Sequence, residues 1–153
     1  MKIQIDRISS KGAAFDAVEP AEAYDITYAD FAFKDPIRIA VSAQVVSGNL
    51  VVAGKLSTVV RMTCSRCLQG FSRDWTDASY HFDCAITNPH ETIDLTESIR
   101  EDIIVGLPVK PLCREDCKGL CPSCGKEWNT APCACPSQKG DIRWLNLNKL
   151  KLE

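Results

Sequence analysis

Apolar and polar residues alternate most clearly over residues 37–45, where the chain reads Ile-Arg-Ile-Ala-Val-Ser-Ala-Gln-Val. A period of two is typical of an antiparallel strand with one buried face. Ser47, Gly48 and Asn49 follow as a tight turn, in which Gly48 and Asn49 both tolerate positive φ. Residues 50–62 are rich in β-branched side chains and predict the returning strand. This stretch therefore predicts an antiparallel hairpin.

The segments on either side of this hairpin extend the predicted sheet with less regularity. The first eight residues, MKIQIDRI, alternate apolar and charged side chains and predict a strand. Residues 71–84 predict a further, aromatic-bearing strand, which follows a Cys-Ser-Arg-Cys turn. Residues 13–35 have no decisive pattern, because residues 19–22, Glu-Pro-Ala-Glu, suit the start of a short helix or a long loop equally.

One amphipathic helix is predicted after the sheet. Its N-cap is predicted at Asp94, with Glu97 three residues later in a capping-box arrangement, and Pro108 ends it. After Pro111 regular patterning disappears until residue 136, and Asp141 is the predicted cap of a short terminal helix. The apolar stripe of the main helix follows helical spacing and consists of Leu95, Ile99, Ile103, Ile104 and Leu107.

These elements predict an α+β fold, with an antiparallel β-sheet, one main helix and an irregular, cysteine-rich C-terminal tail. Residues 1–107 form the mainly β region with the helix, and residues 108–153 form the tail with its short terminal helix. A chain of 153 residues has the length of one ordinary domain. We therefore expect the two regions to form one integrated domain.

The composition suggests a soluble protein of the reducing cytoplasm. Apolar residues make up 45% and charged residues 25% of the chain, and no apolar run is long enough to cross a bilayer. The start of the chain lacks the apolar stretch of a secretory signal. The net charge of −2 gives no sign of a broadly basic, nucleic-acid-binding surface. In such a compartment, clustered cysteines bind metal or do redox work more often than they form disulfides.

Cysteine is the most informative residue of the chain, with nine copies, six of them within residues 113–135. Four-thiolate zinc sites are built from closely spaced pairs, because a C-x2-C turn presents two sulfur atoms together. Eight of the cysteines form four such pairs, which predicts two sites. The ninth, Cys84, lies in a predicted strand, where we expect a small buried apolar side chain. The first cysteine set is Cys64, Cys67, Cys113 and Cys117, and the second cysteine set is Cys121, Cys124, Cys133 and Cys135.

Other uses of the cysteines fit less well. Disulfides would leave an odd thiol and need an oxidising compartment. The spacing C-x3-C-x3-C-x2-C within residues 113–124 differs from the C-x2-C-x2-C-x3-C of bacterial ferredoxins. No βαβ pattern surrounds either C-x2-C, as a thioredoxin-type motif would require. We therefore predict one or two structural zinc ions, with the first cysteine set joining the sheet to the tail.

No catalytic site is predicted. Both zinc sites would have four protein ligands and no open position, which favours a structural role over hydrolysis. The two histidines, His81 and His90, have no serine or carboxylate constellation around them, so we expect ordinary surface or core residues. We therefore predict that the protein is not an enzyme and has no small-molecule substrate.

In order along the chain, the cysteine motifs resemble those of the YceD-like family, described as large ribosomal RNA subunit accumulation proteins. Cys64-Ser-Arg-Cys-Leu resembles the family's C-x-R-C-L hairpin, and residues 117–125, CKGLCPSCG, match its most distinctive string. Asp141-x-Arg143-Trp144 completes the resemblance, which covers roughly residues 37–150. It implies a non-enzymatic bacterial cytoplasmic factor needed for normal levels of large-subunit ribosomal RNA.

The partner implied by the resemblance is a large-subunit ribosomal RNA precursor or a ribosomal protein, and no membrane. Basic and aromatic residues interleave in the tail, as they do on RNA-binding surfaces, where cations meet phosphates and rings stack on bases. The alternative is a zinc-dependent protein-interaction adaptor without RNA contact. The residues predicted for this partner surface are Lys118, Lys126, Trp128, Arg143 and Trp144.

Overall fold

The computed structural model of the protein describes residues 1–26 and 31–135. Within these residues it has seven strands, one α-helix and two short 3-10 helices, Ile5–Arg7 and Ala21–Tyr24. The strands and the α-helix are β1 (Lys2–Gln4), β2 (Ala13–Glu19), β3 (Phe31–Phe33), β4 (Ile37–Val46), β5 (Asn49–Thr63), β6 (Gly70–Ala85), β7 (Thr92–Asp94) and α1 (Thr96–Gly106).

Five of these strands form one antiparallel sheet around β5. One edge of β5 pairs with β4 and, beyond it, with β3, while the other edge pairs with β6 along almost the whole of both strands. β2 pairs with the outer edge of β4. The register of β5 and β6 shifts between Gly54 and Leu56, as it does at a β-bulge. The long β5–β6 hairpin carries the turn at residues 64–69 to one end of the sheet.

The core lies on one face of this sheet. Along β4, Ile37, Ile39 and Val41 are buried while Arg38 between them is exposed, which is the alternation of a half-buried strand. Helix α1 covers that face with the fully buried side chains of Ile99 and Ile103.

Two side-chain hydrogen bonds hold α1 against β6. The Tyr80 hydroxyl and the Ser98 hydroxyl are 3.1 Å apart, and the Trp75 indole N–H donates to the Gly106 carbonyl over 3.2 Å. Both aromatic side chains are buried, so their polar atoms need these partners. The small β1–β7 sheet pairs Lys2 with Asp94 just before α1 begins. The start of the helix is thereby joined to the first strand.

The predicted hairpin of β4 and β5, the aromatic-bearing β6 and the main amphipathic helix are confirmed, and the fold is α+β with a mostly antiparallel sheet. Of the predicted helix stripe, Leu95, Ile99 and Ile103 are fully buried, while Ile104 and Leu107 are half-buried. Among the described residues, no helix combines the length and apolar character needed to span a bilayer. The predicted terminal helix after Asp141 lies outside the described residues.

Residues 13–35, which had no decisive pattern, contain β2, which pairs with β4, and the 3-10 helix Ala21–Tyr24, so the structure has the short helix of the two alternatives for residues 19–22. Three local predictions are wrong. The first strand ends at Gln4, because the chain turns into a 3-10 helix that brings Ile5 into the core. In the β4–β5 turn, Ser47 and Gly48 have positive φ, while Asn49 already pairs in β5. The remaining correction concerns the start of α1.

The N-cap of α1 is Leu95, one residue later than predicted. Asp94 ends β7, and its carboxylate accepts hydrogen bonds from the backbone N–H and the hydroxyl of Thr96 at 3.0 and 2.6 Å. The predicted capping box does not form, because Glu97 pairs instead with Arg100 at 2.9 Å. An acidic side chain still lies at the positive end of the helix dipole.

A pair of carboxylates lies between β6 and α1. Asp77 accepts hydrogen bonds from the backbone N–H and the hydroxyl of Ser79, at 2.9 and 2.7 Å, which lower its pKa. Asp102 on the helix faces Asp77 with a buried oxygen, Oδ2, that has no hydrogen-bond partner among the described residues. Burial, followed by the neighbouring Asp77, raises the pKa of Asp102 to about 6. A proton on Asp102 would let this side chain donate a hydrogen bond to Asp77.

We expect Asp102→Asn to stabilise the fold at neutral pH. A raised folded-state pKa contributes stability that is complete below the ordinary pKa of 3.8 and is lost as the pH rises through about 6. The amide would donate to Asp77 at any pH. The gain at pH 7.5, discounted for solvent screening, is on the order of 1 kcal/mol and disappears near pH 4. Urea unfolding at both pH values measures this gain in stability. Asp83→Asn, at an exposed position of β6, is the control. An equal effect at both pH values would contradict the pairing.

Candidate metal centre

The turn between β5 and β6, residues 64–69, is the first knuckle. The Cys64 N–H donates to the Gln69 carbonyl over 2.9 Å, and the Leu68 N–H donates to the Cys64 carbonyl over 2.9 Å. Leu68 has a φ of 58°, in the left-handed region, and this reverses the chain into β6. The turn thereby presents the sulfur atoms of Cys64 and Cys67 together at the end of the sheet.

The second knuckle, residues 121–126, repeats the same backbone pattern. The Cys121 N–H donates to the Lys126 carbonyl over 2.8 Å, and the Gly125 N–H donates to the Cys121 carbonyl over 2.8 Å. Gly125 takes the position of Leu68, with a φ of 71°. Two sequences that share little except C-x2-C therefore build the same turn.

The structure brings the eight paired cysteines into the two sets that the spacing predicts. In each set, the four sulfur atoms lie within 4.8 Å of one another. The first set joins the β5–β6 turn to residues 113–117, and the second closes within residues 121–135. All nine cysteines are free thiols, and Cys84 belongs to neither set; it is half-buried against the main core.

The sulfur spacing of the first cysteine set fits a tetrahedral ion. The Sγ atoms of Cys64 and Cys117 are 3.8 Å apart, as are those of Cys67 and Cys113. With a zinc–sulfur bond of about 2.3 Å, two ligands of a tetrahedron are about 3.8 Å apart. A disulfide would require about 2.05 Å. The donor set therefore suits a soft divalent cation.

The acidity of the thiols shows that each set needs a positive charge to ionise fully. Burial opposes ionisation of Cys64, yet the backbone N–H groups around its sulfur lower its pKa to about 6. Burial and the neighbouring thiols raise the pKa of Cys113 to about 12. In the second set, Trp128 lowers the pKa of Cys133 to about 6, whereas Cys124 and burial raise that of Cys135 to about 12. Four thiolates this close repel one another unless a cation lies among them.

The two sets differ in exposure. Cys64, Cys67 and Cys117 are buried in a small apolar cluster to which Phe71, Leu112 and Leu120 contribute. In the second set, Cys121 is buried, Cys124 is exposed and the other two are half-buried. The first set is therefore part of the packed structure, while the second lies at the surface.

Arg66 fastens residues 113–120 to the first knuckle. Its guanidinium donates to the Cys117 carbonyl over 2.8 Å and to the Glu115 carbonyl over 3.3 Å. Its own carbonyl accepts the Leu120 N–H over 3.2 Å. Gly119, with a φ of 75°, fits against this carbonyl, where a Cβ atom would come within 2.9 Å. The knuckle and the tail are thus joined by backbone contacts as well as by sulfur atoms.

Asn129 connects the second cysteine set to the first. It lies in the loop between Cys124 and Cys133, but its amide N–H donates to the sulfur of Cys117 over 3.3 Å. Its amide oxygen accepts the Lys118 N–H over 2.8 Å. Of the contacts of Cys117, this hydrogen bond lowers its pKa most. The loop of one set therefore supports a thiolate of the other.

The residues predicted to bind a partner lie near this centre where the structure describes them. Lys118 and Lys126 have exposed side chains. Trp128 is 37% exposed, and its indole N–H donates to the Cys133 sulfur over 3.2 Å, so it also supports the second cysteine set. Arg143 and Trp144 lie outside the described residues. The histidines His81 and His90 are exposed, and neither belongs to either set.

Sequence reasoning assigned no role to Arg66, Gly119 or Asn129. The signal for Arg66 was its place inside a knuckle, and that for Gly119 was a glycine two residues before the second knuckle. Asn129 is among the residues that match the YceD-like pattern, but the sequence does not indicate its contact, which crosses from one cysteine set to the other. All three residues help to position the cysteines of the sets, although none of them is itself a cysteine of a set.

Residues 81–151 match the protein-family model described as "Large ribosomal RNA subunit accumulation protein YceD". The match supports a YceD-like family assignment. It confirms the resemblance given by the motifs, and the matched region contains the second cysteine set and the tail half of the first. Nothing in the match extends to the first knuckle.

Three relatives of this chain are uncharacterized mycobacterial proteins. The one from Mycobacterium leprae is 30% identical over 129 residues, covering 75% of this chain and 59% of the relative. Those from Mycobacterium bovis and Mycobacterium tuberculosis are each 30% identical over 116 residues, covering 67% of this chain and 56% of the relative. The chain therefore spans less than three fifths of their length. No solved structure gives a significant match.

We expect Gly119→Ala to destabilise this centre much more than Gly125→Ala. Both residues have positive φ, which costs an alanine about 1 kcal/mol, but only at Gly119 would the new Cβ meet a backbone oxygen. Relief of that contact would separate the tail from Arg66. The total loss in the free energy of unfolding should therefore be about 2–3 kcal/mol for Gly119→Ala. Denaturant midpoints measure the difference. Equal losses for the two variants would show that the Gly119–Arg66 contact is unimportant.

Proposed function

We propose that this protein is a non-enzymatic, cytoplasmic factor of bacteria that supports the accumulation of large-subunit ribosomal RNA. The observation that carries the proposal is the match of residues 81–151 to a family described by that role. The matched region includes six of the eight cysteines in the two sets. It acts through binding, either to the ribosomal RNA precursor or to a ribosomal protein.

Zinc is the proposed cofactor, with one structural ion in each cysteine set. Four closely grouped thiols per set and sulfur separations of 3.8 Å support this assignment. Zinc bound there supplies a cross-link between chain segments and no open position for a reactant. Cys64 and Cys67 would hold their ion from the sheet, and Cys113 and Cys117 from the tail.

The regions 1–107 and 108–153 act as one integrated unit in this proposal. Support comes from three contacts that cross between them independently of any ion. The Arg66 guanidinium reaches the Cys117 carbonyl, and the Arg73 guanidinium donates to the Leu112 carbonyl over 3.0 Å. The Ser65 N–H donates to the Pro111 carbonyl over 2.9 Å.

The proposed RNA contact uses the exposed lysines Lys118 and Lys126, together with Trp128, Arg143 and Trp144. Lysine and arginine neutralise phosphates, and the partly exposed indole of Trp128 offers a stacking surface. A second candidate function is a zinc-dependent adaptor that binds a protein and no RNA. It is favoured by exposed apolar side chains near the first knuckle, among them Leu68 and Val109, which are 65% and 96% exposed.

We expect native mass spectrometry of the protein to find two zinc ions per chain, one for each set. Cys121→Ser should release one ion and leave the other, because the first cysteine set is complete without it. Cys64→Ser should also lower the stability, since its set is buried in packed structure. Cys84→Ser is the matched control and should keep both ions. A wild-type protein without metal, or Cys121→Ser with both ions, would contradict the assignment.

Charge reversal tests the RNA arm of the proposal. We expect Lys118→Glu/Lys126→Glu/Arg143→Glu to bind purified large-subunit precursors much more weakly than the wild type. Each lost phosphate contact should also reduce the salt dependence of log Kd by about 0.7–0.9. Arg7→Glu/Lys11→Glu/Lys34→Glu changes the charge equally at exposed sites of the first 35 residues and should bind as the wild type does. Equal binding by both variants would exclude the RNA surface.

A further inference from the structure

The two cysteine sets are joined by the loop that lies between the two pairs of the second set, residues 125–132. Two adjacent residues of this loop reach sulfur atoms of different sets. The Trp128 indole N–H donates to the Cys133 sulfur over 3.2 Å, and the Asn129 amide N–H donates to the Cys117 sulfur over 3.3 Å. One short loop therefore contacts a candidate ligand of each set.

Backbone contacts hold this loop against the tail half of the first set. The Trp128 N–H donates to the Gly119 carbonyl over 2.9 Å, and Leu120 pairs with Glu127 in an antiparallel bridge. These contacts place the loop beside the segment that directly follows Cys117. A rearrangement of the loop would break them together with the hydrogen bond to the Cys117 sulfur.

The Asn129 side chain is held in its orientation at both of its polar ends. Its oxygen accepts the Lys118 N–H over 2.8 Å, and its N–H also donates to a carboxylate oxygen of Glu127 over 3.1 Å. The side chain is half-buried, which limits the competition from water for the Cys117 sulfur. Removing a residue that orients a metal ligand typically lowers metal affinity by about 10–100-fold. Asn129 is thus a positioning residue for the first set.

An ion in either set favours the same position of this loop. The second set closes only when Cys133 lies beside Cys121, and the structure has the four sulfur atoms of that set within 4.8 Å while Asn129 contacts Cys117. A ligand shifts a conformational equilibrium towards the state that binds it better, and the coupling between two sites is reciprocal. Binding at one set therefore strengthens binding at the other.

We propose that the two cysteine sets bind zinc with positive cooperativity, and that Asn129 transmits most of the coupling. The second set is the more exposed of the two, with Cys124 at the surface, so its ion exchanges more readily. When that ion leaves, the loop is released and the first set loses the Asn129 contact. The exposed set thus controls how firmly the tail is held to the sheet. This inference rests on the zinc assignment of the proposed function.

The test measures the zinc affinity of each set separately. The protein is titrated with a zinc chelator and the freed cysteines are alkylated, so that mass spectrometry of the peptides reports which set has lost its ion. Asn129→Ala removes the connecting amide without removing a ligand. Thr130→Ala is the matched control, because its exposed hydroxyl donates to the Glu127 carbonyl of the same loop, over 3.0 Å, and not to a sulfur atom.

We expect Asn129→Ala to weaken zinc binding at both sets by the same factor, about tenfold, because the coupling is reciprocal. Thr130→Ala should bind zinc as the wild type does. An amide that only orients Cys117 would change the affinity of the first set alone. A loss confined to the first set therefore overturns the inference, and so does an unchanged affinity at both sets.

A second variant removes the ion of the exposed set. Cys124→Ser/Cys135→Ser takes one ligand from each pair of that set and should lower the zinc affinity of the first set by a similar factor. In the Asn129→Ala background the same two substitutions should cost the first set much less, since the connecting contact is already lost. Equal costs in both backgrounds would overturn the role of Asn129. A wild type that binds no zinc contradicts the proposed cofactor itself, whereas two ions that bind independently contradict only the coupling.

Discussion

Mutual repulsion of thiolates is the constraint on which this end of the molecule depends. Four sulfur atoms within 4.8 Å cannot all ionise without a cation, and the split pKa values of Cys64 and Cys113 express that conflict. The chain prepares the first cysteine set for a cation by backbone N–H groups, by Asn129 and by an apolar surround. Each of these favours thiolate or excludes water, so that an ion held there interacts strongly with its ligands.

The sheet and the cysteine-rich tail depend on each other through this set. The hairpin of β5 and β6 is long enough to carry Cys64 and Cys67 beyond the main core, where a separate small apolar cluster forms. Arg66 and Gly119 align the tail with the knuckle through backbone contacts. Residues 108–135 of the tail have little apolar area of their own to bury, so their conformation rests on these contacts and on the sulfur atoms.

The parts of the fold that could be predicted are those in which local pattern and tertiary structure agree. The alternation of Ile37, Ile39 and Val41 identifies β4 because the same residues form the core. β2 escaped prediction because its inward side chains include alanines, which bury little area, and its pairing with β4 makes it a strand. The candidate metal centre shows the same difference between what local pattern indicates and what only the tertiary structure determines. Spacing alone indicated the cysteine sets, whereas the contact of Asn129 with Cys117 joins two loops and has no local signature.

The two cysteine sets also differ in how much chain must be ordered before they can close. Cys67 and Cys113 are separated by 46 residues, whereas the whole second set lies within residues 121–135. Closing the longer loop costs about 1 kcal/mol more in chain entropy, a small amount that the sheet contacts readily offset. Local contacts form before distant ones, so the surface set can assemble while β5 and β6 are still pairing. We therefore expect the exposed set to assemble first and the buried set to close after the hairpin has formed.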